Sequence, residues 1–249
     1  MNVFIIERSL NGIFSALFIS FTKKIRPVKI ADGKIYAQEI GDKPIKILID
    51  LSHAKRVESA LIKYCGYDVI NRMRTCLLCS EERTSLIVFN FAYAILNARK
   101  NICTNLSCSE ISEFVFTEQK VWAERHQILG FLRFTESESG VIYAQYAPDN
   151  DITSIVAPHF LKRLSGIPFI IHDVKRNKIA ISDGERLKLE KTELIATFTP
   201  SEDNEKFLKL WKKYYRTVNI SERKNTTQQN GYMPVRYRKY MPETYETNL

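Results

Sequence analysis

Apolar and polar positions alternate in two rhythms along this chain, and the rhythms predict its elements. Asn2–Ile6 is a short apolar run, the signature of a buried strand. Ser9 precedes an apolar-periodic stretch over residues 10–24, which predicts a helix capped by Ser9. Pro27 stops it, because proline cannot extend a helix and restricts the residue before it. Residues 35–40 and 45–49 carry strand chemistry on either side of Gly41-Asp42-Lys43-Pro44, a turn sequence. Ser52 is the expected cap of a helix whose inner face holds Val57, Leu61, Ile62 and Cys65. Helices over residues 69–79 and 83–100 follow, and the polar stretch 101–112 reads as a connector.

The second half has sharper punctuation. A helix is predicted over residues 115–128, broken by Gly130. Strands at 131–134 and 141–146 flank the turn 136–140 and predict a hairpin. Pro148-Asp149-Asn150-Asp151 then opens a helix with Ile152, Ile155, Val156, Phe160 and Leu164 on its apolar stripe. Pro158 kinks that helix or marks a fresh first turn, and Gly166-Ile167-Pro168 ends it. A second hairpin, 169–174 with 179–182, turns through Lys175-Arg176-Asn177-Lys178, and residues 187–189 offer a third strand after Asp183-Gly184. The stretch 202–218 reads as a helix in which Phe207, Leu210, Trp211, Tyr214 and Tyr215 supply the bulk. The order predicts an α+β protein. An N-terminal mixed strand and helix region, residues 1–108 and mostly helical after 52, precedes a β-β-α-β-β antiparallel sheet and C-terminal helices in residues 109–249. The two regions can also be read as one integrated domain.

Composition adds little beyond ordinary globularity: 249 residues, 45% hydrophobic and 26% charged. No stretch approaches the ~20 uncharged apolar residues of a membrane span. Glu7 sits where a signal peptide carries positive charge, and no small-residue cleavage site follows. The expectation is a cytoplasmic protein with no membrane partner and five reduced cysteines. The net charge of +9 changes the picture more, because it is uneven. Residues 205–249 hold ten Lys and Arg against four Glu, so six of the nine excess charges lie there. A basic segment favours polyanion partners.

Several constellations could carry chemistry. Cys76-Leu77-Leu78-Cys79 has the spacing of half a zinc site, but its leucines and helical context point to buried thiols, so no metal and no cofactor is expected. Three closely spaced cysteines for a radical-SAM cluster are absent from the sequence. His126, His159, His172 and Asp173 are the candidate acids and bases of a catalytic reading. His172 and Asp173 are neighbours in a strand and point to opposite faces, which excludes a simple pair between them. The candidate nucleic-acid contacts are Arg125, Arg133, Lys175, Arg176, Arg223, Lys224, Asn225, Arg236, Tyr237 and Arg238. The hairpin tip with Lys175 and Arg176 is shaped for phosphates. In the C-terminal run, cations alternate with tyrosines, so phosphates and bases could be met together.

The same residues carry a resemblance. Glu124-Arg125-His126-Gln127-Ile128-Leu129-Gly130-Phe131-Leu132-Arg133-Phe134 comes first, followed by residues 143–151, Ala157-Pro158-His159-Phe160 and Ile171-His172-Asp173. Trp211, Tyr214, Tyr215, Arg216, Glu222-Arg223-Lys224-Asn225 and Met233-Pro234-Val235-Arg236-Tyr237 then occur in order. The series resembles a bacterial family of unknown molecular function described as DNA-metabolism and DNA-repair proteins. It covers residues 1–245 and is most specific from 115 onward. The resemblance implies work beside a radical-SAM DNA-modifying or repair protein. In some bacteria the same domain is fused to a uracil-DNA-glycosylase-like domain, of which this sequence shows no motif. It supplies no established catalytic residues, and Cys76 and Cys79 fall outside its pattern.

Three functional readings follow. The first is an accessory protein that binds DNA and works with the radical-SAM enzyme. The second is an enzyme on nucleic acid or nucleotides using His126, His159 and His172 with Asp173 or Glu124 as general acid and base. The third is a protein-interaction adaptor without DNA contact.

Overall fold

The computed structural model describes residues 1–33, 36–191, 201–218 and 225–244. Its chain divides into two units, Met1–Trp122 and Ala123–Leu249. Both contain helices and strands, so the α+β class holds.

The first unit is built on a three-stranded parallel sheet. β1 (Asn2–Ile6) is central, with β2 (Lys29–Asp32) and β3 (Lys43–Lys46) on either side. Parallel neighbours need a crossover, and α1 (Leu10–Lys23) supplies it between β1 and β2. Ser9 caps α1 by accepting from the Gly12 N–H at 3.1 Å. Lys24, in the left-handed conformation at φ 53°, ends the helix before Pro27 is reached. The strands lie elsewhere than the turn signal suggested. β2 precedes the expected run, and Ile35 lies outside the described residues. Tyr36 donates its hydroxyl to Asp42 at 2.8 Å, and Asp42 also accepts from the Glu39 N–H, so residues 36–42 close on themselves rather than joining the ladder. Asp50, not Ser52, caps α2 (Leu51–Cys65), accepting from the N–H groups of Ser52 and His53. A carboxylate there also meets the positive helix end.

α3 (Asp68–Leu77) and α4 (Thr84–Ala98) complete this unit with the first turns of α5 (Ser109–Phe131). α4 is apolar all round and buried on most sides, as such helices are. Its Phe89 meets Phe4 edge to face, and Phe91 stacks on Phe114 with ring centroids 3.7 Å apart. Arg72 lies over Phe114 and pairs with Glu118 at 2.7 Å, covering the end of that stack.

In the second unit α5 runs through Gly130 to Phe131, where a strand was expected. Glycine costs a helix about 1 kcal/mol but does not forbid one, and the Leu132 N–H still donates to the Ile128 carbonyl. The hairpin strand therefore shrinks to β4 (Thr135–Glu136). A five-stranded sheet follows in the order β4-β5-β6-β7-β8, with β5 (Ile142–Tyr146), β6 (Phe169–Asp173), β7 (Lys178–Ser182) and β8 (Leu187–Lys191). It is mixed rather than wholly antiparallel. β5 and β6 run parallel, because α6 (Thr153–Arg163) crosses between them, and the other pairings are antiparallel. α6 covers the face that carries Phe169, Ile171 and Ala180. Pro158 sits inside α6 on its exposed side. β8 is the last strand of the sheet among the described residues, and Lys188, Glu190 and Lys191 leave it charged. α7 (Glu202–Val218), α8 (Thr226–Tyr232), α9 (Val235–Arg238) and a 3-10 turn at Pro242–Thr244 end the described chain.

Two glycines test this account. A β-carbon at Gly12 would lie 2.2 Å from the Glu7 carbonyl oxygen, whereas one at Gly130 meets nothing within 4 Å. Gly12→Ala is expected to lose about 1–3 kcal/mol or more in urea unfolding. Gly130→Ala is expected to be neutral or to gain up to about 1 kcal/mol.

Candidate functional site

Several of the residues singled out in the second unit meet at one turn, residues 147–152, between β5 and α6. Glu124, buried on α5, accepts from the N–H groups of Asp149 (2.6 Å) and Asn150 (2.8 Å) and from the Asn150 side-chain amide (2.7 Å). Its fourth donor is the Tyr237 hydroxyl at 2.6 Å. Tyr237 is 2% exposed, and burial followed by the Glu124 charge pushes its phenol well above the ordinary value, so it stays a donor. The ring is a packing element beside Phe131 and offers no stacking surface to a base.

Arg236 lies over the Tyr237 ring at 4.7 Å and pairs with Asp149 at 3.0 Å. Arg176 holds the same turn from the other hairpin. It donates to the Pro148 carbonyl at 3.1 Å and to that of Asp149, and pairs with the fully buried Asp173 at 2.9 Å. Burial raises the Asp173 carboxyl and Arg176 works against that rise. Lys178 pairs with Asp151 at 2.9 Å. Arg125 donates to the Ile155 carbonyl of α6 at 2.9 Å. The turn is thus clamped from three elements by groups that the sequence suggested for nucleic-acid contact or catalysis.

A second cluster joins Arg133, which pairs with the buried Glu243 at 2.7 Å and lies 5.8 Å from the Trp211 ring. Arg238 donates to the Asn230 side chain and the Met233 carbonyl, and Asn225 accepts from the Gln228 N–H at the start of α8. Arg223 and Lys224 lie outside the described residues. Of the candidate cations, Lys175 is fully at the surface and Arg236 is half exposed.

The candidate acid–base residues do not share a network. His126 is exposed on α5, His159 is half-buried beside Phe160 on α6, and His172 is half-buried on β6. Among the described residues no hydrogen bond or ion pair joins any two of these histidines, or any of them with Asp173. His172 shares a bond of 2.8 Å between its Nδ1 and the Tyr143 hydroxyl, and its Nε2 is buried with no partner. Burial depresses its pKa, with Asp173 acting weakly the other way. Cys76 and Cys79 are buried, and burial pushes the Cys76 thiol far up, away from the thiolate that a metal needs. Among the described residues no group of three or more His, Cys, Asp and Glu is placed to hold a metal ion. No described helix is long and apolar enough to cross a membrane.

The surface that sequence reading misplaced is α7. Phe207, Leu210 and Tyr214 were expected to supply the bulk of its packing. They are 69%, 64% and 58% exposed instead. At spacings of three and four they form one row on the helix surface. Lys206, Lys209 and Lys213 repeat at the same spacings and form the adjacent row, also exposed. Lys206 pairs with Asp203, while Lys209 and Lys213 have no carboxylate partner among the described residues. Asn204 and Trp211 turn inward, and Trp211 stacks on Tyr214 with centroids 5.8 Å apart.

Two outcomes test these assignments. Each Glu124 oxygen accepts from two donors, so Glu124→Gln puts an amide NH₂ where one oxygen accepted and is expected to cost about 2–4 kcal/mol in urea unfolding. Most of that loss should be shared with Tyr237→Phe in a double-mutant cycle. For His172, the unfolded chain binds its proton near pH 6.5 and the folded chain only at lower pH. Stability is therefore full above that range and falls as the pH drops through it. The urea midpoint should decline between pH 7.5 and 5.5, and His172→Phe should flatten the decline.

No curated protein matches the chain. A family match covers residues 82–243, from the turn before α4 to the final 3-10 turn. With well over half of its length matched, the chain belongs to the family described as a domain of unknown function, DUF4130.

Proposed function

We propose that the chain is a nucleic-acid-binding accessory protein in DNA metabolism or repair, with the outward side of α7 as its contact surface. The observation that carries this reading is the pair of adjacent rows there. Lys206, Lys209 and Lys213 lie beside Phe207, Leu210 and Tyr214. A single strand presents phosphates along one side and base faces along the other, and a lysine row next to an aromatic row matches both. The basic excess of residues 205–249 places the same helix in the chain's most positive segment. The resemblance to DNA-repair proteins supplies the polymer, and its radical-SAM neighbour is the proposed enzyme to which the strand is delivered. Catalysis by this chain's own histidines has less support, because they are not joined to one another.

The clamp residues hold the fold that presents α7 and are secondary contacts at most. Arg236 among them, and Lys175 at the neighbouring hairpin tip, have exposed cationic surface. The exposed apolar row also favours a second reading, in which α7 docks a protein partner as an amphipathic helix.

Fluorescence anisotropy with a labelled single-stranded oligonucleotide, across a salt series, separates the two. Lys209→Glu with Lys213→Glu should weaken binding and make the salt slope shallower by about 1.4, for two lost phosphate contacts. Phe207→Ala and Tyr214→Ala should each cost about 1–3 kcal/mol of binding at constant slope. Binding that is absent, or unchanged in all these variants, overturns the proposal. Capture of the radical-SAM protein that survives nuclease and fails only in the ring variants establishes the docking reading.

A further inference from the structure

The first unit contains a cavity of about 440 Å³ that none of the functional readings uses. It lies at the carboxyl ends of the parallel strands β1 and β2, where α/β sheets bind ligands, and its size is within the range of about 300–1,000 Å³ for small-molecule sites. Asp32, the last residue of β2, lines one side. Arg8, two residues beyond β1, lines another, with its guanidinium donating to the Leu77 and Cys79 carbonyls. That contact fixes the turn that leads into α4.

The N-terminus of α4 closes the cavity, and it is left unfinished. Arg83 at the cap position makes no side-chain capping bond. Among the described residues, the N–H groups of Ser85 and Leu86 find no backbone acceptor. The neighbouring Thr84 hydroxyl is engaged by the Cys79 and Glu81 carbonyls. The Ser85 hydroxyl is not: Ser85 is 6% exposed and lines the cavity, and among the described residues its hydroxyl has no hydrogen-bond partner. The unpartnered hydroxyl of a residue that is otherwise buried, open first-turn N–H groups and a positive helix end form an anion cradle. Lys29 stands on its rim. Glu39 and Glu82 pair with it at 2.9 and 3.7 Å, but their side chains are 70% and 86% exposed, so they can swing into water when another anion takes Lys29.

We infer that this cavity binds a phosphate monoester of a hydroxylated small molecule, of mononucleotide size. The phosphate sits on the first turn of α4 with Ser85 and Lys29. Asp32 accepts from the hydroxyls of the organic part, and the Tyr36 ring forms a wall beside it. The site lies wholly within Met1–Trp122 and is independent of α7.

Isothermal titration calorimetry of the full chain tests it with ribose 5-phosphate, 5′-AMP, ribose and adenosine. The two phosphates should bind at about millimolar Kd or tighter, and the two unphosphorylated compounds at least about tenfold more weakly. Ser85→Ala should weaken the phosphates about tenfold. Ser85→Asp should abolish their binding while leaving Tm unchanged or higher, because an acidic side chain in the first turn favours the helix. The inference falls if neither phosphate binds the folded chain at about 20 mM. It also falls if the unphosphorylated compounds bind equally well, or if Ser85→Asp binds like the parent.

Discussion

A single buried carboxylate organises the second unit. Glu124 lies near the end of a long helix, yet its four donors come from the turn before α6 and from α9. Charge-assisted bonds of this kind are worth about 1.5–3 kcal/mol each, and the same carboxylate stripped of its donors would be strongly unfavourable in the interior. The consequence is geometric. Because the acceptor is fixed on α5, the turn must bring two successive N–H groups to it. The C-terminal segment must return from α8 to place one phenol. Arg176 and Arg236 then neutralise Asp173 and Asp149 around the same turn. Polar networks of this type specify one arrangement of elements, since partial satisfaction costs more than none.

That network explains why a charge count misleads about binding. The sequence offers Arg133, Arg176, Arg236 and Arg238 as candidate phosphate contacts, the last two alternating with tyrosines. Folding turns each of them onto a carboxylate, a carbonyl or an amide contributed from elsewhere in the chain. Cationic surface then depends on the residues left over, the exposed lysines of α7 among them. Arginine suits the first role, with a planar fork that meets carboxylates two bonds at a time, and lysine suits a hydrated surface.

What could be read from the sequence follows the range of the forces involved. Local signals were sound: Ser9 capping α1, the apolar stripe of α6, the opposite faces of His172 and Asp173, and the hairpin around Lys175-Arg176-Asn177-Lys178. Gly130 misled because glycine weakens a helix without ending it, and the apolar positions beyond it continue the helical register. The direction of β6 relative to β5 depends on a crossover, which is a property of the α6 connection rather than of either strand. The inward or outward facing of α7 was the hardest to read. Phe207 and Trp211 are equally apolar by type, and only the position of Asn204 and Trp211 against the rest of the unit decides which row is covered.

The last strand of the mixed sheet has a bearing on solubility. Among the described residues β8 pairs on one side only, with β7, and a strand of that kind is the border at which sheets of separate molecules fuse. Lys188, Glu190 and Lys191 ring that border with hydrated charge. A second molecule adding there would have to strip water from these groups before gaining any ladder bond. Molecules crowded side by side in a concentrated solution would therefore stay separate along this margin.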